Sequence, residues 1–239
     1  MQQETLGAQV ILLKINVMKA PKITSNFFIL TLLLVSLPVF GQQTLTNWTF
    51  ANGDLLPDTG TGSASIVGNL NQSFPNSTYG KCLKLTNFAA QSTQNGQKGI
   101  SFQVSTVGKT NINLQFSQRV SADASRWVQL DYSLDGSTWV TGFWTNSGAI
   151  LPQDTWHTFN VDFSDEPGVA NNPNFKVRLV SIFSPFAFDE SSTATPYAPY
   201  TAYMRTDAGA VYTPNSSSGN GSYLASGSWR FDNVSVLGV

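Results

Sequence analysis

The sequence predicts an all-β protein of two antiparallel sheets packed face to face. Three observations predict it: apolar and polar residues alternate in one segment after another, turn-forming pairs separate those segments, and helical periodicity is nearly absent after residue 43.

Taken in chain order, WTF near residue 48 opens the β region. The stretch Asp54 to Asn76, rich in Gly, Ser, Thr and Asn, is expected to wrap the sandwich edge with one short strand around Ser65 to Val67. Ile100, Phe102 and Val104 then alternate with Ser101, Gln103 and Ser105, and Ile112, Leu114 and Phe116 with Asn113, Gln115 and Ser117. The same period recurs in Val128, Leu130 and Tyr132, in Phe159, Val161 and Phe163, and in Phe175, Val177 and Leu179, so at least five half-buried strands are predicted between residues 99 and 181. Asp135-Gly136 in YSLDGSTW tolerates positive φ between two apolar segments and predicts a hairpin. Gly108-Lys109, residues 165–168 (DEPG) and residues 171–174 (NNPN) are further turn signals. This spacing of short strands suits a sandwich or jelly roll. Pro185 to Gly227 is predicted to be a long irregular loop, carrying five of the seven tyrosines: Tyr197, Tyr200, Tyr203, Tyr212 and Tyr223.

The last strand holds one irregularity. In SWRFDNVSV, Trp229 and Phe231 keep one parity and Val234 and Val236 the other, so a bulge at Asp232-Asn233 is needed to bring all four into the core.

Before this region, Lys19 and Lys22 precede the apolar run Phe27 to Phe40, which has signal-peptide length and ends at Gly41. Residues 1–41 are therefore expected to be a leader cleaved before Gln42, with Met18 the tidier start, and 42–239 one secreted domain, extracellular or at the cell surface, with no membrane span. After Gly41 there are ten Lys and Arg against thirteen Asp and Glu and no basic cluster, which argues against a nucleic-acid partner. Cys82 is the only cysteine, so no intramolecular disulfide forms, and GKCLKL reads as a strand with a small buried thiol.

The chemistry-bearing residues are few. His157 is the only histidine, no GxSxG motif accompanies it, and one His with one Cys cannot make a zinc site. Only Glu166 and Glu190 follow the leader, one in a turn and one in the irregular loop, so no paired-carboxylate pattern for glycoside hydrolysis is present. Calcium fits the abundance of oxygen donors, and the bulge would turn Asp232 toward Asn52 and Asp54 of NWTFANGD; the competing reading has Asp232 capping a turn or pairing with Arg230 or Arg178. Arg178 and Arg230 sit opposite the apolar faces of their strands, where they stack on aromatics or pair with Asp131 or Asp162.

WTF, FQVSTVGKTNINLQFSQR, YSLDGSTW, NNPNFKVRL and RFDNVSV, in that order, resemble a secreted bacterial β-sandwich domain of unknown function found in exported, often surface-anchored proteins. RFDNVSV is also distantly similar to the last strand of jelly-roll carbohydrate-binding modules, where the resemblance implies that the aspartate, here Asp232, helps hold a structural calcium. The chain departs from such modules in lacking the glutamate that often follows the Phe of the first strand, and it stops at Val239 without the sorting tail of many such proteins, implying free secretion.

The leading expectation is a non-catalytic binding module for a polysaccharide or surface glycan. Its stacking platforms would be Trp139, Phe143 and Trp144 after the Asp-Gly turn and Tyr197, Tyr200 and Tyr203 in the long loop, because flat amphipathic rings match the apolar faces of sugars. Trp48, Trp127, Trp156 and Trp229 are assigned to the core. The alternatives are a structural or adhesive surface protein, which would bury or scatter the tyrosines, and an atypical polysaccharide hydrolase or lyase, which would need Asp131, Asp162, Tyr132 and Arg178 to converge.

Overall fold

A computed structural model describes residues 41–77, 80–145, 155–185, 198, 200–205 and 223–239, with backbone alone at 142–145. Among these residues there is no helix, and therefore none long and apolar enough to cross a membrane. The expected leader and its cleavage point before Gln42 lie outside the described residues. Phe40–Val239 forms one compact unit.

The strands are β1 (Gln43–Trp48), β2 (Thr59–Gly60), β3 (Ser63–Val67), β4 (Asn71–Ser73), β5 (Asn76–Ser77), β6 (Gly80–Lys81), β7 (Leu83–Thr86), β8 (Gly99–Gln103), β9 (Asn113–Val120), β10 (Val128–Ser133), β11 (Val140–Thr145), β12 (His157–Asp162), β13 (Lys176–Ser181) and β14 (Trp229–Gly238). One sheet runs β12-β9-β14-β1-β2, with β7 also paired to β14 and β4 to β7; the other runs β11-β10-β13-β8-β3. All of these pairings are antiparallel. From β7 onward the chain passes from one sheet to the other at nearly every connection, giving the two-sheet jelly-roll sandwich that the alternation predicts.

The five alternating segments all become strands, because each has one apolar face to bury. Ile100, Phe102, Leu130, Val177 and Leu179 face inward from one sheet, and Leu114, Phe116, Trp229, Phe231, Val234 and Val236 from the other; all are at most 1% exposed. Trp48 packs on Phe102 with ring centroids 5.0 Å apart, and its indole N–H donates to the Leu55 carbonyl, so the first strand is anchored by both shape and polarity. Trp127 and Trp229 are also fully buried, whereas Trp156 is half-buried. Cys82 is a buried free thiol between β6 and β7, and burial pushes its pKa up, as expected of a small apolar-site side chain.

The Asp-Gly hairpin forms, joining β10 to β11 through residues 134–139. Gly136 takes φ +79°, and Asp135 Oδ1 accepts hydrogen bonds from the backbone N–H groups of Thr138 and Ser137 and from the hydroxyls of Ser133 and Ser137. The Thr138 N–H bond leads the effects that hold this carboxyl well below the usual range.

The bulge in β14 falls where the parity slip places it. Register against β9 shifts between Asp232 and Ser235, and Asn233 takes φ +49°, a left-handed conformation that Asn tolerates. The bulge is also where β14 changes partners: residues 229–231 pair with β7, and residues 234–238 pair with β1.

Candidate functional site

The outer face of the five-stranded sheet carries a ladder of polar side chains. Directly paired residues on antiparallel strands share a face, and the register sets Asp131 of β10 beside Arg178 of β13, Arg178 beside Ser101 of β8, and Ser101 beside Ser65 of β3. The next rung is Ser133, Lys176, Gln103 and Ser63.

The first rung is built around one ion pair. Arg178 Nε donates to Asp131 Oδ2 at 2.7 Å, and Gln129 Nε2, two residues along β10 on the same face, donates to Asp131 Oδ1 at 2.7 Å. The Asp131 side chain is fully buried, and that of Arg178 is 22% exposed. The carboxylate thus lies beneath the guanidinium and fixes its plane. Over that plane lies Trp139, half-buried at the end of the hairpin loop, with the guanidinium carbon 4.3 Å from the ring centroid and Lys176 Nζ at 5.7 Å. Arg178 therefore does both things open to it on sequence grounds: it pairs with Asp131 and stacks on an aromatic ring.

Of the other aromatics expected at a binding surface, Phe143 and Trp144 lie on β11, with Trp144 in register with Leu130; their side chains, like all of Tyr197, fall outside the described residues. Tyr200 is 67% exposed and holds φ +62°. Tyr203 is placed in the interior at 1% exposure, so it offers no ring face to a ligand. Its ring lies tilted 4.9 Å from Tyr223 and edge-to-face 4.7 Å from Phe183, and its hydroxyl donates to the carbonyls of Thr93 and Gln94. Tyr223 donates to the Ala89 carbonyl, and burial raises the pKa of both phenols. These two tyrosines form a small second core that pins the 89–94 loop, in place of the exposed platform expected for Tyr203.

The residues needed for an atypical hydrolase do not converge. Tyr132 points into the core from the opposite side of β10 to Asp131, and its hydroxyl donates to Glu166 Oε2 at 2.6 Å, which pushes its pKa up to about 12. Asp162 is exposed on β12 of the other sheet, where hydrogen bonds from Ser164 hold its carboxyl low. His157 opens β12, half-buried, with its ring 6.4 Å from Phe159.

Asp232 is 2% exposed; its Oδ1 accepts from the Asn233 N–H, and its Oδ2 has no hydrogen-bond partner. Burial, reinforced by repulsion from Asp58, raises its pKa to about 6. Asn52 donates its amide to Asp58 Oδ1, while Asp54 Oδ1 accepts from the Leu56 N–H in a local turn. Asp58 also accepts from the Thr49 N–H and hydroxyl. The Asp232 oxygen that lacks a partner is thus a buried one, Asp58 is the second acid whose charge this carboxylate feels, and Asp54 is committed to its own turn. Among the described residues no cluster of three or more His, Cys, Asp or Glu side chains gathers, so a cation here would depend on carbonyl or solvent oxygens as well.

Sequence reasoning missed Gln129 and Lys176. The available signal was their two-residue offset from Asp131 and Arg178 along the same strands.

No protein-family profile matches the chain, and no curated protein matches it. Among solved structures, the chain is similar to the CBM22-2 xylan-binding domain of Xyn10C from Paenibacillus barcinonensis (10% identity, 82% of this chain and 100% of that one, TM-score 0.45). It is similar also to a putative sugar binding protein from Bacteroides thetaiotaomicron (11%, 82% and 100%, TM-score 0.45) and to the family 11 carbohydrate-binding module of the cellulosomal cellulase Lic26A-Cel5E of Clostridium thermocellum (10%, 83% and 95%, TM-score 0.37).

Proposed function

We propose that the protein is an exported, non-catalytic glycan-binding module whose ligand lies across the outer face of the five-stranded sheet. The observation that carries this reading is Trp139, held against a guanidinium that is itself fixed by a buried carboxylate. One flat amphipathic ring, on the face that also presents the half-exposed Gln103 and the exposed Ser63 and Ser65, supplies what a sugar needs: a stacking surface and hydroxyl-sized hydrogen-bond partners. The support is strongest for this one aromatic. Among the described residues Tyr200 is a further exposed ring, and Tyr203 is left out.

A calcium ion bound by Asp232 and Asp58 is part of the proposal, with a structural role. It would supply the partner that Asp232 Oδ2 lacks and relieve the repulsion between the two carboxylates.

A glycan-array screen of the protein and its Trp139→Ala variant, each with calcium and with chelator, tests the reading. Binding of a defined glycan that the variant loses while its melting temperature falls by no more than a few degrees is the expected result. If no glycan is retained in any condition, or the variant binds as well as the parent, the proposal is wrong and a structural or adhesive role takes its place.

A further inference from the structure

We infer that the glycan recognised by this face is an acidic one, a chain whose sugars carry carboxylate or sulfate groups. The inference rests on the binding face proposed above and goes further by assigning the charge of the ligand.

The argument is one of which charges on the face reach solvent. Three ionic side chains share the two central rungs: Asp131, Arg178 and Lys176. Asp131 is fully buried, with one carboxylate oxygen committed to Arg178 Nε and the other to Gln129. A ligand arriving from outside meets the cations.

Arg178 is bound to the protein through Nε alone. Among the described residues its two terminal nitrogens have no partner, and the Trp139 ring and the Asp131 bond fix the plane in which they point. A guanidinium so held is a ready fork for a planar anion, and Arg is the side chain best suited to bidentate recognition of one. Lys176 adds a second charge one rung away, its Nζ 5.7 Å from the Trp139 ring centroid.

The nearest carboxylate on the hairpin, Asp135, is occupied by two backbone N–H groups and two hydroxyls, which leaves it a weak competitor for those cations. A neutral sugar could stack on Trp139, but it would leave the two cationic donors matched only by hydroxyls. An anionic substituent within reach of the stacked ring satisfies both. The fit is to a charge displayed beside an apolar ring face, which a uronic acid or a sulfated sugar presents.

The test measures affinity of the full-length protein for polygalacturonate, for dextran sulfate and for neutral dextran and xylan, at low and high ionic strength, alongside Lys176→Gln and Trp139→Ala. The expected result is binding to an anionic polymer at least tenfold tighter than to the neutral ones, weakened by salt, and reduced about tenfold by Lys176→Gln. Retention of polygalacturonate alone names the carboxylate as the group read, and retention of dextran sulfate alone names the sulfate ester. Trp139→Ala must abolish the same binding. If anionic binding survives that change, it is diffuse ion condensation and the inference fails. Equal affinity for neutral polymers, unaffected by Lys176→Gln, overturns the inference while leaving the glycan-binding reading intact. Failure to bind any polymer overturns both.

Discussion

Arg178 Nε lies 2.7 Å from Asp131 Oδ2, joining two strands across a register that places the residues side by side, one fully buried and the other partly in water. That asymmetry makes the two halves of the pair unequal. Replacing Arg178 by Met strands a buried carboxylate and is expected to cost about 3–5 kcal/mol. Replacing Asp131 by Asn leaves a cation that can still reach solvent and is expected to cost only about 1–2 kcal/mol. Urea denaturation with unchanged m-values gives both figures, and the reverse order would show that the carboxylate is not the buried partner.

Trp139→Ala removes a half-exposed ring whose contact with Arg178 stabilises by about 0.5–1 kcal/mol. Its melting temperature is therefore expected to fall by only a few degrees. A loss above about 3 kcal/mol by denaturant titration would mean that the ring is structural.

Tyr203 behaves in the opposite way. Tyr203→Ala opens a cavity beside Tyr223 and Phe183 and is expected to cost about 3–5 kcal/mol. Tyr203→Phe, which only leaves the Thr93 and Gln94 carbonyls without their donor, should cost about 1 kcal/mol. Glycan affinity measured on the folded Phe variant should equal that of the parent.

For Asp232 the sign of the pH dependence follows from a folded-state pKa raised from 3.8 to about 6. Between about pH 4 and pH 6 the folded protein binds more protons than the unfolded chain, so without calcium this group lowers stability as pH rises through that window and keeps it lowered above. Asp232→Asn should therefore stabilise the metal-free protein at pH 7.5 by roughly 1–3 kcal/mol, and the gain should vanish below about pH 4. Calcium is expected to raise the melting temperature of the parent at pH 7.5 and leave that of Asp232→Asn unchanged, as differential scanning calorimetry with and without chelator would record.

Features that depend on local parity were legible in the sequence. The slip between Phe231 and Val234 requires one extra residue, and deleting Asn233 should turn Val234 and Val236 outward and prevent folding, visible as loss of near-UV circular dichroism. The Asp135-Gly136 hairpin was equally local. The rung of Asp131, Arg178, Ser101 and Ser65 was not legible in full, because it depends on how strands far apart in the chain are aligned, and alternation fixes which face a residue takes without fixing its neighbour. Tyr203 and Tyr223 misled for a related reason. Their segment has no periodicity, and their burial is decided by the 89–94 loop, more than a hundred residues earlier.

Because β14 occupies the middle of its sheet, between β9 on one side and β7 then β1 on the other, a nascent chain from which β14 has not yet emerged holds three separated fragments of that sheet. Cooperative folding must then await β14, since this segment reaches partners contributed as far back in the chain as β1. A polypeptide of this topology stays threadable until β14 has been made, a useful delay for any chain that must cross a translocation pore before it acquires tertiary structure.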